Sequence, residues 1–226
     1  MKPTVLAVIP ARANSKRIPN KNKNIFLGKP LILWSIEAAI NSKSVTNVVV
    51  TTDDEEVLKF ATQFPKVQFI KRPDYLALDS TPGVDPVLHL MEQSSQSYDY
   101  VLLLQPTSPL RTAEHVDQAI NKLGISGKKQ LVSVKAISDN LNHAVVVNSN
   151  SVKLLNKCID NFSTIEAAKI LNGAIYISKW QTLLDEKTFM GTDVELFEMD
   201  EFTSVDIDLP SDWKKAEAYA SLKDKY

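Results

Sequence analysis

Cysteine is nearly absent: Cys158 is the only one among 226 residues. A single thiol permits no disulfide within the chain and no cysteine metal cluster, which suits a reducing compartment. Glycine is scarce as well, six in all. Neither GxGxxG nor GxxxxGK[ST] occurs, so the dinucleotide fingerprint and the Walker loop are both excluded. No apolar run approaches the ~20 residues of a membrane span. The opening MKPTVLAVIPARANSK has too short an apolar stretch, and no small-residue cleavage site, for a secretory leader. The expectation is a cytoplasmic protein with no membrane partner. A net excess of charge is missing too, with 26 basic against 27 acidic residues, which argues against uniform attraction to nucleic acid. Two local absences are sharper. The first 36 positions hold no Asp or Glu, so Lys2, Arg12, Lys16, Arg17, Lys21, Lys23 and Lys29 sum to +7 there and the other 190 residues to −8. No Arg follows Arg111.

What is present is globular: 44% hydrophobic and 23% charged residues, with 11 Pro and no internal repeat, fit a chain with a sizeable core. Short apolar, β-branched runs alternate with amphipathic stretches. Val5–Ile9 reads as a strand buried on both faces and ending at Pro10. Pro30 opens a helix to Ile40. Val48–Thr52 is a second strand, after which Asp53 and Asp54 are placed to cap a helix from Glu55 to Gln63. Strands follow at Val67–Ile70, Val101–Leu104 and Leu131–Val134, with helices at Val84–Glu92 and Ala113–Leu123. Ala174–Ile177 and Val205–Ile207 resume strand character, and Pro210–Lys223 closes as a helix. Residues 138–170, with Asn, Ser and Asp clusters and an alternating stretch at Ala144–Val147, suit an inserted hairpin or arm. The pattern predicts one α/β domain over 1–226: a Rossmann-like, mixed but mostly parallel sheet covered by helices on both faces, with a small excursion near 138–170.

In such sheets ligands gather beyond the carboxyl ends of the strands, so the loops after residues 9, 52, 104 and 207 are the places to look. The first, PARANSKRIPNKNKN (10–24), carries five basic side chains and four Asn. It can surround a polyphosphate with the Arg12 fork, the Lys16 and Lys21 point charges and Ser15 as a neutral donor; the same composition also suits a solvated basic loop. In VDID, alternation puts Asp206 and Asp208 on one side, as one hard cation would require. Asp208 as the cap of the last helix is the plain structural alternative. Residues 185–212 hold ten acids against one Lys, an excess that reads as surface. His89, His115 and His143 lie too far apart to suggest metal ligation.

The loop IPARANSKRIPNKN resembles the signature of the cytidylyltransferases that activate nonulosonic acids, the CMP-sialic acid synthetase family. The resemblance continues in order through KPLILWSIEAA, VVVTTDDEEV, RPDYLALDST, LLLQPTSPLR, LNGAIYIS and SVDIDLPSDW, and so spans nearly the whole chain. It implies a nucleotidyltransferase fold and a reaction in which CMP passes from CTP to the anomeric hydroxyl of a nine-carbon keto-acid sugar, with release of pyrophosphate and use of Mg²⁺ or Mn²⁺. By the same resemblance Arg12 and Lys16 form the catalytic triphosphate-binding pair. Ser15, Lys21, Asn22, Arg72 and Ser80 are further nucleotide contacts, Gln105 a contact to the sugar, and Asp206 and Asp208 the metal ligands. It implies a homodimer, with residues 138–170 as the interface. For Ser80 and Arg72 plainer roles stay open, a helix cap and a surface ion pair; Arg111 reads as a structural tie. Two departures stand out. Ala13 and Asn14 replace a Gly pair, and Ile170 stands where the family pattern places an Arg two residues before Asn172, within a segment that lacks the usual arginines altogether. Lys157 or Lys169 could supply the missing charge. Two other readings remain: a glycosyltransferase that uses Asp206 and Asp208 as a DxD metal motif, and a CTP-binding relative without catalysis.

Overall fold

The computed structural model describes residues 2–137, 141, 144–148, 151–155 and 168–223. The chain begins with β1 (Val5–Ala11), a minimal hairpin of β2 (Ile25–Phe26) and β3 (Lys29–Pro30), then α1 (Leu31–Ile40) and β4 (Asn47–Thr52). Next come α2 (Glu55–Leu58), β5 (Val67–Lys71), α3 (Asp85–Gln93), β6 (Tyr100–Leu103), α4 (Ala113–Ser126) and β7 (Gln130–Ala136). The excursion supplies β8 (Val145–Asn148) and β9 (Ser151–Leu154), and the chain ends with β10 (Lys169–Lys179), α5 (Trp180–Glu186), β11 (Val194–Glu198) and α6 (Pro210–Lys223).

Seven strands form one sheet in the order β11-β7-β10-β6-β1-β4-β5. β1 runs parallel to β4 and β6, with Val8 opposite Val49 and Leu103, and β5 adds in parallel to β4. β10 is the antiparallel member, lying between β6 and β7, and β11 is parallel to β7. The sheet is therefore mixed and mostly parallel. Val5, Ala7, Ile9 and Ala11 enter one buried cluster and Leu6 and Val8 another, which is why β1 reads as an unbroken apolar run. The first cluster is closed by α1 (Ile32, Ile36) and α4 (Val116, Ile120, Leu123), the second by α3 (Val87, Leu90) and α5 (Leu183). β1 leads to β4 on one side and has β6 on the other, so the loop after it leaves the sheet at the switch in strand order, where ligand crevices form.

A third, smaller cluster positions the site. Ile18 of the basic loop, Phe26 and Leu31, and Val205 and Ile207 pack together with Ala216 of α6. Phe26 is fully buried, with Trp34 and Trp213 set edge-on against it at 5.9 and 5.6 Å between ring centroids, a favoured aromatic geometry. One apolar floor thus holds the basic loop and the VDID segment at the same place.

Several expectations need correction. Val205–Ile207 is not a strand: it runs extended beyond the sheet, tied by Ile207 N donating to Thr107 O at 2.8 Å, and its apolar side chains serve the third cluster rather than a ladder. The helix expected to Gln63 stops at Leu58 and continues as a 3₁₀ turn, Lys59–Thr62. β11, and the last two residues of α5, fall within the stretch read as acidic surface. β11 is an edge strand whose Glu195 and Glu198 accompany a buried Phe197. β1 passes through Pro10 and ends at Ala11. In the excursion β8 and β9 pair antiparallel; His143, Lys157 and Cys158 lie outside the described residues.

Candidate active site

Loop 10–24 is fixed from several directions. The Ala13 amide donates to Asp53 Oδ1 at 2.9 Å, and Asn22, buried, donates from Nδ2 to the Arg12 carbonyl at 3.1 Å. Asp54 alone caps α2, accepting from the amides of Glu56 and Val57, so its neighbour Asp53 is released to hold the loop. The left-handed backbone falls at Asn20, with φ 57°, a conformation Asn tolerates; neither Ala13 nor Asn14 needs it.

Each cation of the loop meets a carboxylate brought from elsewhere. Arg12 Nη1 and Lys16 Nζ both reach Asp79, at 2.5 Å each. Lys21 Nζ donates to the Ile207 carbonyl at 2.8 Å and meets Asp208 at 3.1 Å; Arg17 reaches the other oxygen of Asp208 at 3.0 Å. Lys23 bridges Asp54 and Glu56. Ser15 lines the same cleft, about 430 Å³ in volume, which Arg12, Lys16, Lys21 and Asp208 also wall.

A second cleft of about 260 Å³ adjoins it through Arg12, Lys21, Asn22 and Asp79, and is completed by Arg72, Thr81, Gly83, Gln105 and Thr107. Arg72 is buried and donates from Nη2 to the Thr51 carbonyl at 2.8 Å, while its Nε has no partner. Burial pushes its pKa down to about 10, an effect opposed by Asp53 and reinforced by Arg12. It is no surface ion pair. Ser80 is exposed and stands outside this lining, which takes Thr81 instead. Nor does Ser80 cap α3, whose first turn has no side-chain cap.

Gln105 sits where the loop after β6 converges with β10. A Cβ on Gly173 would stand 3.2 Å from Gln105 Oε1 and 3.3 Å from Asp206 Oδ2, and Gly173 has φ +75°, so both the conformation and the close approach require glycine there. The Gln105 carbonyl accepts from Ser35 Oγ and from Arg111 Nη1, both at 3.2 Å; Nη1 also donates to the Ala174 carbonyl at 2.8 Å. Arg111 is fully enclosed, and burial lowers its pKa to about 9. It ties the Gln105 loop to β10 through carbonyls, the structural role its sequence context suggests.

Asp206 and Asp208 emerge on one side, because Val205 before them and Ile207 between them are buried. Surrounding protein raises the pKa of Asp206; the Thr107 hydroxyl pulls it down and the Asp208 carboxylate pushes it up again. Thr107 Oγ1 is itself buried with no partner at hydrogen-bonding geometry. The cap of α6 is Asp212, which accepts from the amides of Asp208 and Leu209, so Asp208 is not used as a cap. Two mutually repelling carboxylates beside a buried hydroxyl form a hard oxygen set suited to one cation that takes its other ligands from phosphate and water. Among the described residues no cluster of three or more acidic, His or Cys side chains offers an alternative.

Toward β10 the cations are already paired. Lys169 pairs with Glu198 and Lys135 with Glu201. Ile170 and Leu171 of β10 are exposed, and the buried Asn172 bonds Ser133 and Ser204. Asp53, Asp79, Thr107 and Gly173 were not marked as site residues in the sequence, although each falls inside a motif singled out there; each matters through a neighbour 40 or more residues away.

No helix among the described residues is long and apolar enough to cross a membrane. The family model described as cytidylyltransferase matches residues 6–224. A CMP-N,N'-diacetyllegionaminic acid synthase of Legionella pneumophila is 35% identical over 96% of this chain and 97% of its own length. An N-acylneuraminate cytidylyltransferase of Escherichia coli is 31% identical over 96% of this chain, which spans 52% of that protein. Among solved structures, a CMP:2-keto-3-deoxy-manno-octonic acid synthetase complexed with CTP superimposes with a TM-score of 0.73 over 97% of this chain and 99% of its own, at 20% identity; that likeness speaks for the fold.

Proposed function

The chain belongs to the cytidylyltransferase family, and from that premise we propose that it transfers CMP from CTP to the anomeric hydroxyl of a nonulosonic, sialic-acid-like sugar. The bond between the α-phosphorus and the α,β-bridging oxygen breaks, the anomeric oxygen bonds to that phosphorus, pyrophosphate leaves and the hydroxyl proton is lost to solvent. One observation carries the reading: four cations of a single loop, Arg12, Lys16, Arg17 and Lys21, converge in one cleft with the Asp208 carboxylate. In this reading Arg12 and Lys16 bind the phosphates and stabilise the charge that develops on the leaving group. Ser15, Lys21 and Asn22 complete the phosphate cradle, Arg72 lies toward the base, and Gln105 meets the sugar. Asp206 and Asp208 would hold Mg²⁺ or Mn²⁺, which supplies neutralisation of phosphate charge when bound.

The relatives' names favour N,N'-diacetyllegionaminic acid or an N-acylneuraminate as the acceptor. The absence of any Arg after Arg111, and the pairing of Lys169 with Glu198, weigh against the usual arginine-based grip on the sugar carboxylate. A cytoplasmic homodimer joined through residues 138–170, an arm within one domain spanning 1–226, completes the reading. The test is incubation with CTP, Mg²⁺ and a panel of nonulosonic acids, with pyrophosphate release and the mass of the CMP-sugar as readouts. Turnover of one acid supports the proposal. CTP binding without turnover on any of them would make the chain a non-catalytic relative, and binding of a sugar nucleotide in place of CTP would make it a glycosyltransferase.

A further inference from the structure

Arg12 and Lys16 are already paired, and with the same group. Asp79 Oδ1 accepts from Arg12 Nη1 at 2.5 Å and Asp79 Oδ2 meets Lys16 Nζ at 2.5 Å. One oxygen per cation is also how a phosphate presents two non-bridging oxygens. Asp79 comes from the segment after β5 that supplies Arg72, Thr81 and Gly83, and it lines both adjoining clefts. The carboxylate is therefore in the path of any anion that would reach these two side chains together.

Stability does not explain the arrangement. The side chains of Arg12, Lys16 and Asp79 are 34%, 80% and 41% exposed, and ion pairs so open to water contribute little to folding. Competition is a different matter, because a triphosphate must take both cations from Asp79 to use them. Lys16 first, and Arg12 with it, hold the Asp79 carboxyl below its ordinary pKa, so it is ionised at neutral pH and competes as a full charge.

We propose that Asp79 is an internal competitor for the triphosphate cations, displaced as CTP binds and returning to Arg12 and Lys16 as pyrophosphate leaves. It thereby weakens retention of the product and keeps both cations at the cleft between turnovers. The proposal rests on the reading of Arg12 and Lys16 as triphosphate contacts. Its sign is opposite to that of an ordinary binding residue, since removing Asp79 should tighten binding.

The experiment titrates pyrophosphate into the full chain by calorimetry in metal-free buffer, for wild type, Asp79→Asn, Asp79→Ala and Asp79→Glu. Pyrophosphate should bind the Asn and Ala variants roughly three- to tenfold more tightly, as removal of two exposed ion pairs would give, and the Glu variant close to wild type. In turnover the same two variants should show a lower KM for CTP and stronger inhibition by pyrophosphate. Unchanged or weaker pyrophosphate binding in Asp79→Asn, with wild-type binding intact, would overturn the role of Asp79 and leave the triphosphate site standing. A wild-type chain that binds neither pyrophosphate nor CTP would overturn that site, and this proposal with it.

Discussion

Lys16 carries its charge on a side chain 80% exposed, so its part in the fold is small and any loss on removing it is a loss of chemistry. An ammonium that meets negative charge as it develops acts in the transition state, and its truncation lowers kcat. Lys16→Ala is expected to reduce kcat by roughly 10² or more with an unchanged melting temperature, measured by pyrophosphate release beside thermal denaturation; unaltered turnover would remove Lys16 from the mechanism. Asp208 is read by its partners, since Lys21 and Arg17 hold one oxygen each. Asp208→Asn keeps the shape and removes the charge. The Mg²⁺ concentration for half-maximal activity should rise about tenfold or more if the carboxylate ligates metal, and an identical metal dependence would reduce Asp208 to a partner of two cations. Arg12, Lys16 and Lys21 were legible in the sequence because they share one loop with a recognisable spacing. Asp79 was not legible as their partner: a carboxylate in RPDYLALDST looks like any polar loop residue until folding sets it against Arg12.

At the scale of elements, the strands and helices around β1 could be read from period and caps, since both faces of the sheet are buried and the pattern has no competitor. The errors fall where an element serves something other than the main sheet. Val205–Ile207 has a strand's alternation because its apolar side chains anchor the third cluster, and β11 was missed because an edge strand can carry Glu on its open side. That third cluster should be the point where stability and function meet. Phe26→Ala leaves a cavity between Trp34, Trp213 and Ile207 and is expected to cost about 3–5 kcal/mol, seen as a shifted urea midpoint. The KM for CTP should rise with it, because the basic loop loses its floor; lost stability with an unchanged KM would separate the two. A second tie lies at the far end of α1. Asp117 of α4 accepts from Ser42 Oγ at 2.6 Å and from the amides of Lys43 and Ser44 at 3.2 and 3.0 Å. Burial alone would raise its pKa, but these hydrogen bonds outweigh it and the net shift is downward. With a depressed folded pKa, the contribution is complete above the ordinary value of 3.8 and is lost as pH falls through the folded value. Asp117→Asn should therefore flatten the acid limb of the melting temperature against pH and lower the plateau above it; parallel curves would mean that Asp117 does not titrate with folding.

For the whole molecule, the segregation of +7 in the first 36 residues against −8 in the rest suggests a strongly positive end that draws anions from a distance. Folding revises this. Asp79 covers Arg12 and Lys16, Asp208 covers Lys21 and Arg17, and Asp54 with Glu56 covers Lys23. Four acids from the remaining 190 positions return to the loop's five cations, so the field beyond a few ångströms is that of a nearly neutral cleft. Its cations act at contact, where phosphate oxygens replace carboxylates already in place. Contact pairs are screened less by salt than charges a Debye length apart, about 10 Å at 0.1 M. Raising ionic strength from 0.1 to 0.5 M should then increase the KM for CTP by only roughly two- to threefold, whereas an open basic patch that steers its ligand would lose roughly tenfold or more. A steep salt dependence in wild type would mean that the carboxylates do not hold the loop in solution. The Asp79→Asn variant sharpens the measurement: with one covering carboxylate gone, its KM should climb more steeply with salt than that of wild type, from a lower starting point.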